Sequence, residues 1–120
     1  MPFNYRAFGD LSKSPEGQRV WTLVRQPAIQ ANLIAAARLG RPSVEIIADD
    51  LIAIIPAIAK PKNLARETRQ AKRIRDRWRR FAGGVVGAVM VDELGWEIDR
   101  QRVRIPRANT VFETGTTFRR

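Results

Sequence analysis

Eight Arg or Lys residues fall among the fifteen positions from Arg66 to Arg80, opposed only by Glu67 and Asp76. A guanidinium presents a planar fork of donors that matches a phosphate or a carboxylate, and a run of them is the footprint of a polyanion-binding surface. The apolar residues of the same region are Leu64, Ala71, Ile74, Trp78, Phe81 and Val85, at intervals of 7, 3, 4, 3 and 4. That is the spacing of one helix stripe. It predicts a helix from about Leu64 to Phe81 with its remaining faces cationic. Arg69/Arg73, Arg73/Arg77 and Arg75/Arg79 are like-charged pairs one helical turn apart, each costing a few tenths of a kcal/mol. Merely solvated faces normally mix both signs. A face that accepts this repulsion points to an anionic partner.

Other reactive groups are sparse. The chain has no Cys and no His, which removes disulfides, thiol nucleophiles, Cys-ligated metals and the commonest general base. Asp49-Asp50 and Asp92-Glu93 are adjacent carboxylates, but helix neighbours point about 100° apart and cannot share a metal directly. A dispersed Mg²⁺ set drawn from Asp10, Glu45, Asp49 or Glu113 has no supporting spacing. Ala82-Gly83-Gly84-Val85-Val86-Gly87 lacks the Gly-Lys-Ser/Thr ending of a phosphate loop; Gly83 and Gly84 read as a break, a turn or close-packing point between two helices. Trp78 belongs to the apolar stripe, whereas Trp96 follows a stop signal and is more open to stacking on a base. Asn109, Thr110, Thr114, Thr116 and Thr117 read first as ordinary turn residues, with phosphates or base edges within reach as the functional reading. The expectation is a protein that is not an enzyme and uses no cofactor and no metal.

The elements that must position the cationic run follow from composition and pattern. A chain of 120 residues with 44% hydrophobic and 28% charged side chains is expected to fold as a single domain over residues 1–120. Residues 1–59 carry six basic and five acidic side chains and read as a near-neutral helical scaffold. Residues 60–120 carry sixteen and seven and read as a basic, nucleic-acid-binding half. Phe3, Tyr5, Phe8 and Leu11 predict an extended arm packed on the body. Ser14-Pro15-Glu16 opens a helix burying Val20, Trp21 and Val24, which Pro27 interrupts or restarts. A third helix ends at Gly40, and Ser43 is expected to cap a fourth through about Ile55, burying Val44, Ile47 and Leu51. Asn63 is read as a cap as well. Gly95 ends the helical pattern, and Trp96, Ile98, Val103 and Ile105 alternate as strand residues around a turn at Asp99–Gln101, with Val111–Phe112 and Thr117–Phe118 as further short strands. The fold expected is mainly α with a small C-terminal β-hairpin or three-stranded sheet. No signal peptide or membrane-length apolar run is visible, and a cytoplasmic protein with no membrane partner is the expectation.

Gly87-Ala88-Val89-Met90, then Glu93-Leu94-Gly95-Trp96-Glu97, then Arg100, Arg102, Val103, Arg104 and a closing Phe118-Arg119-Arg120 resemble a known module. The resemblance, over residues 79–120 at most, is to winged-helix modules of phage and plasmid replication proteins of the primase and virulence-associated type. It implies a winged-helix-like fold, a helix-turn-helix plus wing, with phosphate-contacting arginines in a wing around Asp99–Arg107. Val86, Val91 and Asp92, at the helix positions that would face DNA, are not basic, so the upstream helix is the stronger contact surface.

The reading is a non-enzymatic nucleic-acid-binding protein of bacterial or mobile-element origin, for double-stranded DNA ahead of RNA, monomeric or homodimeric. Arg66, Arg69, Lys72, Arg73, Arg75, Arg77, Arg79 and Arg80 would neutralise phosphates, with Arg100, Arg102, Arg104 and Arg107 extending the footprint through the wing. Two alternatives stand beside it. One is a phage-type inhibitor or adaptor binding an acidic or nucleic-acid-binding surface of a host protein complex. The other is a small His-free ribonuclease toxin using Arg, Tyr5 and Glu.

Overall fold

Two prolines, Pro15 and Pro27, divide the first third of the chain into three helices. The computed structural model describes residues 3–104 and 114–120. Helix α1 (Tyr5–Lys13) occupies the segment expected to be an extended arm, because the Asn4 carboxamide accepts from the Ala7 amide at 3.1 Å and starts a helix there. Ser14 and Gln26, each preceding a proline, are extended and cannot continue the helix before them. The prolines then begin α2 (Pro15–Arg25) and α3 (Pro27–Arg38). Ser14 Oγ accepts from the Gly17 amide at 3.0 Å, the cap its position predicted.

Gly40, at φ +67°, turns the chain after α3. The single helix expected from Ser43 is two short ones, α4 (Ser43–Ile46) and α5 (Ala48–Ile54), separated at Ile47. Ser43 does not cap: its hydroxyl is buried and donates to the Leu33 carbonyl at 3.3 Å, tying α4 to α3. Val44, Ile47 and Leu51 are buried as their spacing predicts, and Ile55 is buried with them. Ile58 is buried as well, Ile52 packs partly against the core, and Ile46 is exposed.

The cationic helix α6 runs Arg69–Ala88. Leu64–Arg66 forms a separate 3₁₀ turn that Asn63 caps, and Thr68 Oγ1 caps α6 by accepting from the Ala71 amide at 3.0 Å. The helix therefore starts one turn later than the Leu64 stripe implied. Ala71 and Ile74 leave that stripe and are exposed, Ile74 by 45%. Phe81 and Val85 stay buried, and Trp78 lies half-buried, edge-on to Phe81 at 5.5 Å.

Gly83 and Gly84 do not break the helix. Phe3 lies 3.2 Å from where a Cβ on Gly84 would stand, so this glycine admits an aromatic ring against helix backbone. That is the close-packing role without the turn. Val89–Glu93 continues α6 as a π-helical turn, leaving one rod where a helix-turn-helix pair was expected. Gly95, at φ +75°, ends it, and the Trp96 amide returns to the Met90 carbonyl at 2.8 Å. Trp96 is 4% exposed, so its ring is core and not an open stacking surface.

The strands β1 (Glu97–Arg104) and β2 (Thr114–Arg119) pair antiparallel as a two-stranded sheet. No turn interrupts β1 at Asp99–Gln101. Instead the register shifts twice: Asp99 is an extra residue, and Gln101 and Arg102 together face Thr116. The Val111–Phe112 strand and Ile105 lie outside the described residues. A single apolar cluster joins Phe3, Val20 and Ile47 from the neutral half to Phe81, Val85, Trp96 and Phe118 from the basic half.

The glycine pair yields a contrast. Nothing lies within 4 Å of a Cβ on Gly83, so Gly83→Ala is expected to stabilise by about 0.5–1 kcal/mol. Gly84→Ala is expected to forfeit that gain because Phe3 must yield. Thermal melts of the two variants read the difference directly.

Candidate nucleic-acid interface

The arginines of α6 fall into two groups once the helix is docked. Arg69, Lys72, Arg73 and Arg80 are exposed on the outer face, preceded by exposed Arg66 on the 3₁₀ turn. None of these five has a carboxylate partner among the described residues. The outer face also carries the half-buried Asp76.

Three other cations are engaged. Arg75, expected among the phosphate contacts, is buried: its side chain is 7% exposed and meets Glu67, 9% exposed, at 2.9 Å. Its Nε has no partner among the described residues. The reason is rotational, since the face that buries Phe81, Ala82, Val85 and Val86 also includes position 75. Arg77 makes a two-pronged contact with Asp10 of α1 at 2.6 and 2.7 Å and donates to the Ala7 carbonyl at 2.8 Å. This contact raises the proton affinity of Arg77 and lowers the pKa of Asp10. Arg79 is half-buried beside Asp76 at 4.0 Å. Burial, then the charge of Arg75, lowers its pKa, partly offset by Asp76. Lys60, from the connector before α6, is lowered by burial and then by Arg79 and Arg75. Lys60, Arg75 and Arg79 thus lie close enough to repel one another, with Glu67 and Asp76 among the carboxylates beside them.

The hairpin contributes Arg100, Arg102 and Arg104, all exposed. Arg107, Asn109, Thr110 and Glu113 lie outside the described residues. Arg102 adopts φ +56°, a left-handed conformation costly for a residue with a side chain. The bulge faces this residue toward α6, where it shares a cleft with Arg79 and Arg80. The sequence signalled a strand there but not the bulge. Arg119 pairs with Glu97 at 3.4 Å, and Arg120 lies 5.8 Å from the Trp96 ring centroid. Val86 is buried in the core and cannot read a groove, while Asp92 is exposed. At the far end of the rod, Arg25 of α2 holds Glu93 at 2.8 Å and covers the Trp21 ring at 4.7 Å.

Among the described residues, no three acidic side chains come together as a metal site, and no helix is long and apolar enough to cross a membrane. Asp10 is engaged by Arg77, and Glu45 sits 3.6 Å from Arg41. Tyr5 is 55% exposed on α1. Comparison of the chain with protein-family models, with curated proteins and with solved structures finds no match.

Glu67→Ala would leave Arg75 charged, buried and unpaired, an expected cost of about 3 kcal/mol in urea unfolding. Replacing both partners, as Glu67→Ala with Arg75→Met, should recover part of that loss. The Asp10 contact has a different signature. A carboxyl whose pKa is lowered by folding contributes stability above its unfolded pKa and loses it as pH falls through the folded value. Asp10→Asn is therefore expected to be less stable than the parent at neutral pH. The two should converge below the ordinary carboxylate range, which melting curves from neutral to strongly acidic pH would show.

Proposed function

We propose that this protein binds nucleic acid, double-stranded DNA ahead of RNA, through the outer face of α6 with the hairpin acting as a wing beside it. The observation that carries the reading is the set of exposed cations Arg69, Lys72, Arg73 and Arg80 on one side of an otherwise anchored rod, with exposed Arg66 just before it, none with a carboxylate partner among the described residues. The cations of α6 lie between Arg69 and Arg80, a stretch of about 17 Å at 1.5 Å per residue. Phosphates recur every few ångströms along a duplex, so such a rod reaches several of them. The planar fork of arginine is pre-organised, so it loses less freedom per hydrogen bond formed than lysine does, which favours positioning on the backbone.

The winged-helix reading is kept in reduced form. Support comes from the order of a helix stopped at Gly95, buried Trp96 and an arginine-bearing strand. The unbroken rod from Arg69 to Glu93 gives no recognition pair from those residues. Contact is therefore assigned to phosphates, through Arg66, Arg69, Lys72, Arg73 and Arg80 and through Arg100, Arg102 and Arg104. Base readout is not part of the proposal. Arg75 drops out because it is buried, and Arg77 and Arg79 serve mainly to hold the helix.

The test is anisotropy binding to duplex DNA, single-stranded DNA and RNA across a salt series. With about five phosphate contacts from Arg66, Arg69, Lys72, Arg73 and Arg80 alone, log K should fall against log salt with a slope of at least roughly −4 to −5, steeper where the hairpin arginines also engage. R69E/K72E/R73E reverses three exposed side chains without touching an internal pair, and should lower both affinity and slope while the melting curve holds. Duplex binding with no salt slope would sink the proposal. Failure to bind any of the three at low salt would turn this face toward an acidic protein partner, for which exposed Ile74 supplies an apolar contact.

A further inference from the structure

Between α6 and the hairpin lies a cleft of about 610 Å³. Arg80 reaches it from α6 and Arg102 from β1. Both are exposed, and neither has a carboxylate partner among the described residues. Arg79 and Asp76 line the cleft too, but they lie 4.0 Å apart and offset one another. What the cleft has left to offer a ligand is therefore the pair Arg80 and Arg102. Its floor gives a flat ring nothing to stack on, because Val86 and Phe118 are 2% and 3% exposed. Donors without an accessible apolar wall suit an anion carried on polar flanks, and a phosphate between two sugars is one.

Two backbone features set the donors around open space. Arg102, at φ +56°, sits in the bulge where it and Gln101 together face Thr116. Bulges re-aim side chains, and this one brings Arg102 to the cleft that α6 borders. Non-glycine residues hold a left-handed conformation only where the surroundings over-determine it, commonly at ligand clamps. Thr116 shares a strand face with Phe118 and adds a hydroxyl donor to the same cleft. On the facing helix, Gly83 lines the cleft and has nothing within 4 Å of where a Cβ would stand.

The geometry points to a two-walled phosphate clamp: Arg80 of α6 and Arg102 of the hairpin close on one phosphate group of the bound nucleic acid. The clamp rests on the nucleic-acid reading above and sharpens it. The hairpin shares a phosphate with α6 instead of holding Arg102 against a phosphate of its own. Two guanidinium forks can approach one phosphate from different sides, since its oxygens carry more lone pairs than one arginine uses. Arg79 takes no part, being already engaged. The phosphate comes either from within a strand or from a phosphorylated strand end, which carries close to a second negative charge.

The test is anisotropy binding of a short blunt duplex, with and without 5′ phosphates, across a salt series. The variants are Arg80→Ala, Arg102→Gly, the two combined, Gly83→Leu, and Arg80→Ala combined with Arg100→Ala. Glycine at 102 removes the guanidinium and tolerates the positive φ, so this variant should melt no lower than the parent. A shared phosphate makes Arg80 and Arg102 non-additive. Their combined loss of affinity should depart at least about threefold from the product of the single losses. The salt slope should fall by about 0.9 in the double variant, where two separate phosphates would take about twice that. Arg100 is exposed and does not line the cleft, so its loss should simply multiply with that of Arg80. Leucine at 83 fills the cleft, removes no charge and should weaken binding about as much as Arg80→Ala. Coupling on both duplexes assigns an internal phosphate; coupling only on the phosphorylated duplex assigns a strand end. A parent that binds with the expected salt slope, while the Arg80 and Arg102 losses multiply or Gly83→Leu binds normally, overturns the clamp alone. A parent that binds neither duplex overturns the nucleic-acid reading and the clamp with it.

Discussion

The second half of α6 is enclosed by core on most sides, and this enclosure allows the first half to be so heavily charged. Phe81, Val85 and Val89 follow one another at one-turn intervals and are fully buried. Burial of side chains of this size contributes about 1.5–3 kcal/mol each, while each like-charged pair on the outer turns costs a few tenths. The packing term wins comfortably. Phe3, admitted by Gly84, and the hairpin residue Phe118 belong to the same cluster, so the N-terminal segment and the C-terminal strand are both organised around this helix.

Docking α6 also sorts its charges. Glu67, just before the helix, Asp10 on α1 and Asp76 on α6 itself take up Arg75, Arg77 and Arg79. A buried pair such as Glu67 with Arg75 adds little net stability, yet either partner alone would be costly. The pair therefore penalises any rotation of the helix that separates it. What remains on the outside is the unneutralised residue of this sorting: Arg66, Arg69, Lys72, Arg73 and Arg80. The proposed duplex surface is that remainder, and the cleft beside Arg79 and Arg80 is where the remainder meets the hairpin.

Much of the scaffold was legible because its signals are local. Ser14 with Pro15, Gly40 and Gly95 each act within a turn of backbone, and each does in the structure what its type implies. The apolar residues Val20, Trp21, Val24, Val44, Ile47 and Leu51 all reach the core. The misreadings share one cause, competition between local signals that tertiary contacts resolve. Asn4 starts a helix where aromatic spacing implied an arm, and Thr68 captures the start of α6 from Asn63. Gly83-Gly84 looked like a break because glycine is a poor helix former, but burial on both sides outweighs about 1 kcal/mol per residue. Arg75 read as a surface charge since nothing nearby in the pattern marks Glu67 as its partner.

Helical periodicity, capping chemistry and net charge are properties of short windows, and the sequence alone determined those: a mainly helical chain with a cationic helix and a small C-terminal hairpin. Which cations stay free was decided only by the tertiary structure. Asp10 meets Arg77 across 67 positions, and Arg102 meets the Arg79–Arg80 turn only through a bulge with positive φ. Such contacts depend on the angle at which helices and strands pack. A stripe of apolar residues specifies that one face is buried, but its exact rotation is settled by everything that packs against it.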